Sequence, residues 1–131
     1  MFKRVKTTVT IATLYLFIVG NAQADVSEVL QNICTIVKAD DKGELRKKMK
    51  LVQSDFKLKL KDYYAGISCG GNSLIRTAML NNAIETGTLM VKKMSKIDLS
   101  TPEKDGKTVI DWASENGLDG SPIVAALKDR I

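Results

Sequence analysis

None of the 131 residues of this chain is histidine. That removes Ser-His-Asp and Cys-His nucleophilic catalysis, histidine-based zinc chemistry and the usual pH switch. The two cysteines, Cys34 and Cys69, are open to three readings: a metal site, a redox pair or a disulfide. Two thiols without imidazole partners leave few soft ligands for a metal, and a redox pair is expected as C-x-x-C rather than at this separation. A structural bridge is favoured, and closing such a loop stabilises by roughly 4 kcal/mol in the chain-entropy model. The adjacent carboxylates Asp40 and Asp41 fall where one helix should end and the next begin, so capping accounts for them better than acid–base work. Asp55 and Asp62 remain as a distant hydrolase alternative. These residues nominate no catalytic group, no metal and no cofactor, and the expectation is a protein that is not an enzyme.

The chain begins with Lys3, Arg4 and Lys6 and no acid, followed by an apolar stretch from Val9 to Gly20 and then Ala22-Gln23-Ala24. A basic start, a short apolar run and an A-x-A site make a secretory signal peptide over 1–24. The run is shorter than the ~20 residues that cross a bilayer, so a cleaved signal is expected rather than an anchor. The mature protein would be periplasmic or secreted and would not span a membrane. Residues 25–131 then form a single helical domain, long enough to bury roughly two-thirds of its unfolded surface. The net charge of +5 falls once the signal is removed, leaving 17 Lys and Arg against 15 Asp and Glu. Nucleic acid is therefore not an expected partner.

The helices are legible from their periodicity. Asp25 and Glu28 have capping-box spacing, and Val26, Val29, Leu30, Ile33, Ile36 and Val37 recur at three- and four-residue steps, with Cys34 beside that face. Asp41 and Glu44 repeat the capping spacing ahead of Leu45, Met49, Val52 and Phe56. Residues 56–61, F-K-L-K-L-K, alternate like a strand but also fit helical spacing with Tyr63, Tyr64 and Ile67. A continuing or short separate helix is preferred, because no partner strand is visible. From Lys42 to Lys61 eight basic residues face Glu44 and Asp55 alone, whereas 97–131 holds seven acids against four bases.

The most specific pattern is a repeat. Gly71-Asn72-Ser73-Leu74-Ile75-Arg76-Thr77-Ala78 returns 35 residues later as Gly106-Lys107-Thr108-Val109-Ile110-Asp111-Trp112-Ala113. Ser73 and Thr108 are expected to cap helices, Ile75 and Ile110 to fill equivalent core positions, and Asn82 and Gly117 to end the helices in left-handed turns. At these residues the chain resembles ankyrin repeats, with 98–108 similar to the finger that leads into the next unit. Leu74 and Val109 stand in place of the usual proline, and Arg76 and Asp111 in place of the usual histidine. The layout is also similar to a family of small exported Gram-negative bacterial proteins of unknown function. The fold expected is all-α: a short solenoid-like stack of about three helical hairpins with one disulfide. Residues 25–69 would be a cap-like hairpin and 70–131 two ankyrin-like units, with a generic helical bundle as the alternative.

The resemblance implies a protein-binding, interaction or inhibitor-like module in the cell envelope. Its partner surface would comprise Arg76, Met79, Lys104, Asp105, Lys107, Asp111, Trp112 and Glu115. Trp112 reads equally as a binding anchor or as core. The alternative is an envelope-surface protein that holds anionic lipid or polysaccharide on Lys47, Lys48, Lys50, Lys57, Lys59 and Lys61.

Overall fold

The computed structural model describes residues 28–131. The signal peptide expected over 1–24 and the cap expected at Asp25 lie outside the described residues. Helix α1 covers 28–38, followed by α2 (Lys42–Phe56), α3 (Leu60–Tyr63), a 3₁₀ turn (Tyr64–Gly66), α4 (Leu74–Leu80), α5 (Ile84–Lys93), α6 (Lys96–Ser100), α7 (Val109–Glu115) and α8 (Pro122–Arg130). Among the described residues there is no strand, only an isolated antiparallel bridge between Cys69 and Asn72. No described helix is long and apolar enough to cross a membrane.

The apolar stripes fold onto one continuous core. Ile33 and Val37 of α1, Leu45 and Val52 of α2, Leu74 and Ile75 of α4, Met90 of α5, and Ile123 and Leu127 of α8 are all fully enclosed in it. Asp40 and Asp41 both act as caps. Asp41 Oδ1 accepts from the Glu44 amide at 3.1 Å and starts α2. Asp40, in a left-handed conformation (φ 55°), reaches across 46 residues, where its Oδ1 accepts from the Thr86 amide at 2.8 Å. The turn between the first two helices thus satisfies orphan donors at the start of α5, which has no capping side chain of its own.

The alternating run after α2 resolves as a helix stop. Lys57 adopts φ 57°, Lys59 is extended, and α3 begins at Leu60 as a separate short helix. Alternation still sorts the side chains, with Leu58 half-buried and Leu60 buried between exposed lysines. Among the described residues no strand lies beside that stretch to pair with it.

The 35-residue repeat is structural at its helix ends. Ser73 accepts from the Arg76 amide and Thr108 from the Asp111 amide. Asn81 and Asn116 close the two helices alike, donating to Thr77 O at 2.8 Å and Trp112 O at 2.7 Å. Asn82 (φ 52°) and Gly117 (φ 71°) then turn the chain left-handed. Helix α4 packs on α7, and α5 on α8. The interior equivalence is looser than the sequence pattern implies. Ile75 is fully buried, whereas Ile110 is only partly covered at the margin of the core.

Gly87 marks the tightest approach. A Cβ there would lie 2.8 Å from Ile123 Cγ1 and 3.1 Å from Ala78 Cβ, with Ile123 Cδ1 closer still. Gly87→Ala is therefore expected to force α5 and α8 apart. Overpacking costs about 1–3 kcal/mol, while removing a mid-helix glycine returns up to about 1 kcal/mol. A net loss of about 1–2 kcal/mol should appear as a lower urea midpoint at unchanged slope. An unchanged midpoint would mean that the two helices yield at this contact.

Candidate functional site

The densest polar constellation is centred on Arg76, in the first turn of α4. Only 6% of this residue is exposed, so its charge has to be met inside the protein. Its Nη1 and Nη2 donate to Asp105 Oδ2 and Oδ1 at 2.7 and 2.9 Å, a bidentate fork, and Nη2 also donates to Lys107 O at 3.1 Å. Nε makes a close charge contact with Glu103 Oε1 at 2.6 Å. The guanidinium carbon stands 5.0 Å from the centre of the Trp112 ring, a cation–π contact across to α7. Arg76 therefore pins the 103–107 turn, itself closed by the Glu103 amide donating to Lys107 O, the Gly106 amide donating to Glu103 O, and Gly106 at φ 81°.

Glu103 extends this network to the other side. Its Oε2 accepts from the Tyr64 hydroxyl at 2.8 Å, and Ser73 Oγ lies 3.0 Å from the same hydroxyl. Burial, then the Glu103 charge, drive the Tyr64 pKa far above the ordinary tyrosine value, so the phenol keeps its proton. Tyr63, one residue earlier, is pushed up to about 12 by burial and the neighbouring Asp62 charge. The hydrogen bonds from Arg76 hold the Asp105 carboxyl well below the usual carboxylate range, with the Lys107 amide assisting. In turn, the Asp105 hydrogen bond raises the Arg76 pKa.

Beside this network lies a groove of about 290 Å³ between the 64–73 loop and the 98–105 segment. Ile67, Met94, Leu99 and Val109 supply apolar lining, Tyr64 and Glu103 one polar wall, and Ala65 and Asn72 part of its outer edge. The disulfide between Cys34 and Cys69 ties the 64–73 loop to α1, with both cysteines buried. One wall is thus held by a covalent bridge and the other by the Arg76 clamp.

Several residues expected on a partner surface are buried instead. Arg76, Met79 and Trp112 are between 4% and 8% exposed. Arg76 is consumed by its two carboxylates, and Trp112 packs against Arg76 in the core. Lys104, Asp105, Lys107, Asp111 and Glu115 are exposed, with Asp105 held by Arg76 and Lys107 paired to Glu115 at 3.2 Å. Sequence reasoning missed Tyr64 and Glu103, which lie 39 residues apart and fit no local motif. Of the six lysines, Lys48 is half-buried and Lys47, Lys50, Lys57, Lys59 and Lys61 are exposed. Among the described residues, no group of three or more Cys, Asp or Glu side chains is arranged to hold a metal.

A family model described as "Protein of unknown function (DUF3718)" matches residues 33–101, from within α1 to just past α6. No curated protein and no solved structure matches the chain.

Proposed function

The chain belongs to the DUF3718 family, which is described by no activity, and from its geometry we propose an exported binding module without catalytic activity that takes an apolar side chain of a partner protein into the 64–73/98–105 groove. The observation that carries this reading is a preformed, mostly apolar groove with both walls braced. A volume of about 290 Å³ lies at the small end of the range for small-molecule sites and admits one protruding side chain of a protein segment. The polar groups at its rim favour binding over chemistry. Arg76, Glu103, Asp105 and Tyr64 engage one another, which leaves none of these four free as a nucleophile or a base.

Export agrees with the Ala22-Gln23-Ala24 signal sequence and with a buried disulfide, which persists in oxidising compartments such as the periplasm or the exterior. An ankyrin-like stack is supported by the 35-residue correspondence of caps and helix ends and by the pairing of α4 with α7 and α5 with α8. In this reading the partner meets the groove and the exposed finger residues Lys104 and Asp105, not Trp112.

The test is a photoreactive residue at Ala65, which is exposed at the groove edge. It should crosslink one protein from an envelope extract, and Ala65→Trp, with melting unchanged, should abolish that protein's binding. Equal crosslinking from Gln53 on α2, or binding undiminished in Ala65→Trp, would reject the groove as the site.

A further inference from the structure

A second surface lies on α2 and the residues after it. Leu45 and Val52 of α2 are buried and Met49 packs half-buried on the core. The helical positions opposite them are Lys47, Lys50, Leu51 and Ser54, which recur at three- and four-residue steps. Leu51, beside Lys47 and Lys50, is 41% exposed. The left-handed turn at Lys57 then brings the chain back, so that Lys57 and Lys59 join Lys50, Gln53 and Ser54 around one open depression.

This charge is in excess, with only Glu44 and Asp55 as acids on α2. Among the described residues none of Lys47, Lys48, Lys50, Lys57, Lys59 and Lys61 forms an ion pair. The nearby Asp62 is occupied, accepting from the Lys59 amide at 2.8 Å. Lys57 has a local role, its Nζ donating to Ser54 O at 3.2 Å at the C-terminal end of α2, but the last turn itself contains no basic residue, so helix-end compensation does not account for the other lysines. A dense cationic face with an exposed aliphatic side chain at its centre matches a partner that offers phosphates over an apolar layer. An anionic polysaccharide offers charge without the apolar layer.

We infer that this face docks on an anionic phospholipid bilayer, with Lys47, Lys50, Lys57 and Lys59 at the headgroup phosphates and Leu51 in the interfacial layer. The surface is separate from the groove and does not depend on the groove's having a partner.

The test is cosedimentation of the disulfide-bonded protein with vesicles of phosphatidylglycerol and phosphatidylcholine, against vesicles of phosphatidylcholine alone. Binding should require the anionic lipid and fade as salt shortens the screening length from about 8 Å to about 3 Å. The triple variant Lys47→Gln, Lys50→Gln, Lys59→Gln should lose roughly a hundredfold in partitioning, about fivefold per lysine. Leu51→Ser should lose severalfold more, with melting unchanged in both because every position is exposed. Ala65→Trp should bind vesicles normally, which separates failure here from failure of the groove. Equal binding to neutral vesicles, an unaffected triple variant, or tighter binding to a soluble sulfated polysaccharide with no effect of Leu51→Ser would overturn the inference.

Discussion

Replacing Arg76 with methionine is expected to cost about 3 kcal/mol, the lower end of the range for removing one partner of a buried ion pair. The substitution keeps the apolar stem against Trp112 and deletes the charge, so the loss is electrostatic rather than a cavity. Glu103, whose side chain is only 15% exposed, is left charged beside the buried Tyr64 hydroxyl. The low end applies because Glu103 retains that hydroxyl as a donor and some contact with water. Urea unfolding of the variant measures the loss. Asp105→Asn serves as the control: Asp105 is exposed, its pairing is screened, and its removal should cost much less. The same geometry sets an acid dependence. The folded-state pKa of Asp105 is depressed, so its contribution is complete above the ordinary carboxylate pKa and is lost as pH falls below about 4. Arg76→Met should flatten that acid limb as well as lower the plateau. If wild type and variant share one midpoint at neutral pH, the clamp does not hold the 103–107 turn.

The local devices of this fold were readable because each is written within four residues. Ser73, Thr108 and Asp41 announce caps, Asn82 and Gly117 announce left-handed stops, and the apolar stripes of α1 and α2 give their buried faces directly. The candidate site was not readable in that way. Its defining contact, Tyr64 to Glu103, joins residues 39 apart, and the ion pair from Arg76 to Asp105 spans 29. A charged residue at the Arg76 position reads as surface by residue type. Only the folded chain brings two carboxylates to it and converts it to a buried clamp. Trp112 follows from the same fact, since a tryptophan that stacks on a buried guanidinium is enclosed with it. The groove is a consequence of the loops and not of any motif. Its two walls come from segments separated by α4 and α5, so no window along the sequence contains both.

Gly87 illustrates the remaining gap. In sequence it is a helix-weakening residue between Thr86 and Thr88, with nothing to say that α8 will lie on it. The requirement appears only when Ile123 and Ala78 approach the same point from two helices. Helix α5 packs on α8, and nothing in the repeat pattern says how closely the two meet.

Loss of the disulfide is expected to remove about 4 kcal/mol. The bridge spans a sequence separation of 35 residues, and closing a loop of that length restricts the unfolded chain by about this amount in the entropy model. Domains of this size are stable by about 5–15 kcal/mol in total, so the reduced protein should be marginal at physiological temperature. The effect should be uneven. Residues 34–69 contain α2, α3 and the first wall of the groove, whereas α4, α5, α7 and α8 pack on one another outside the closed loop. In a Cys34→Ala, Cys69→Ala variant, amide exchange should therefore rise first over 57–72 and least in α5 and α8. Both sulfurs are buried, so a mild reductant should act slowly on the native protein and quickly once urea opens it. Capture of a partner at Ala65 should weaken before the helical signal falls, because the groove loses a wall while most helices persist. Uniform exchange across the chain, or an unchanged urea midpoint, would show that packing alone positions the 64–73 loop and that the bridge adds nothing to the site.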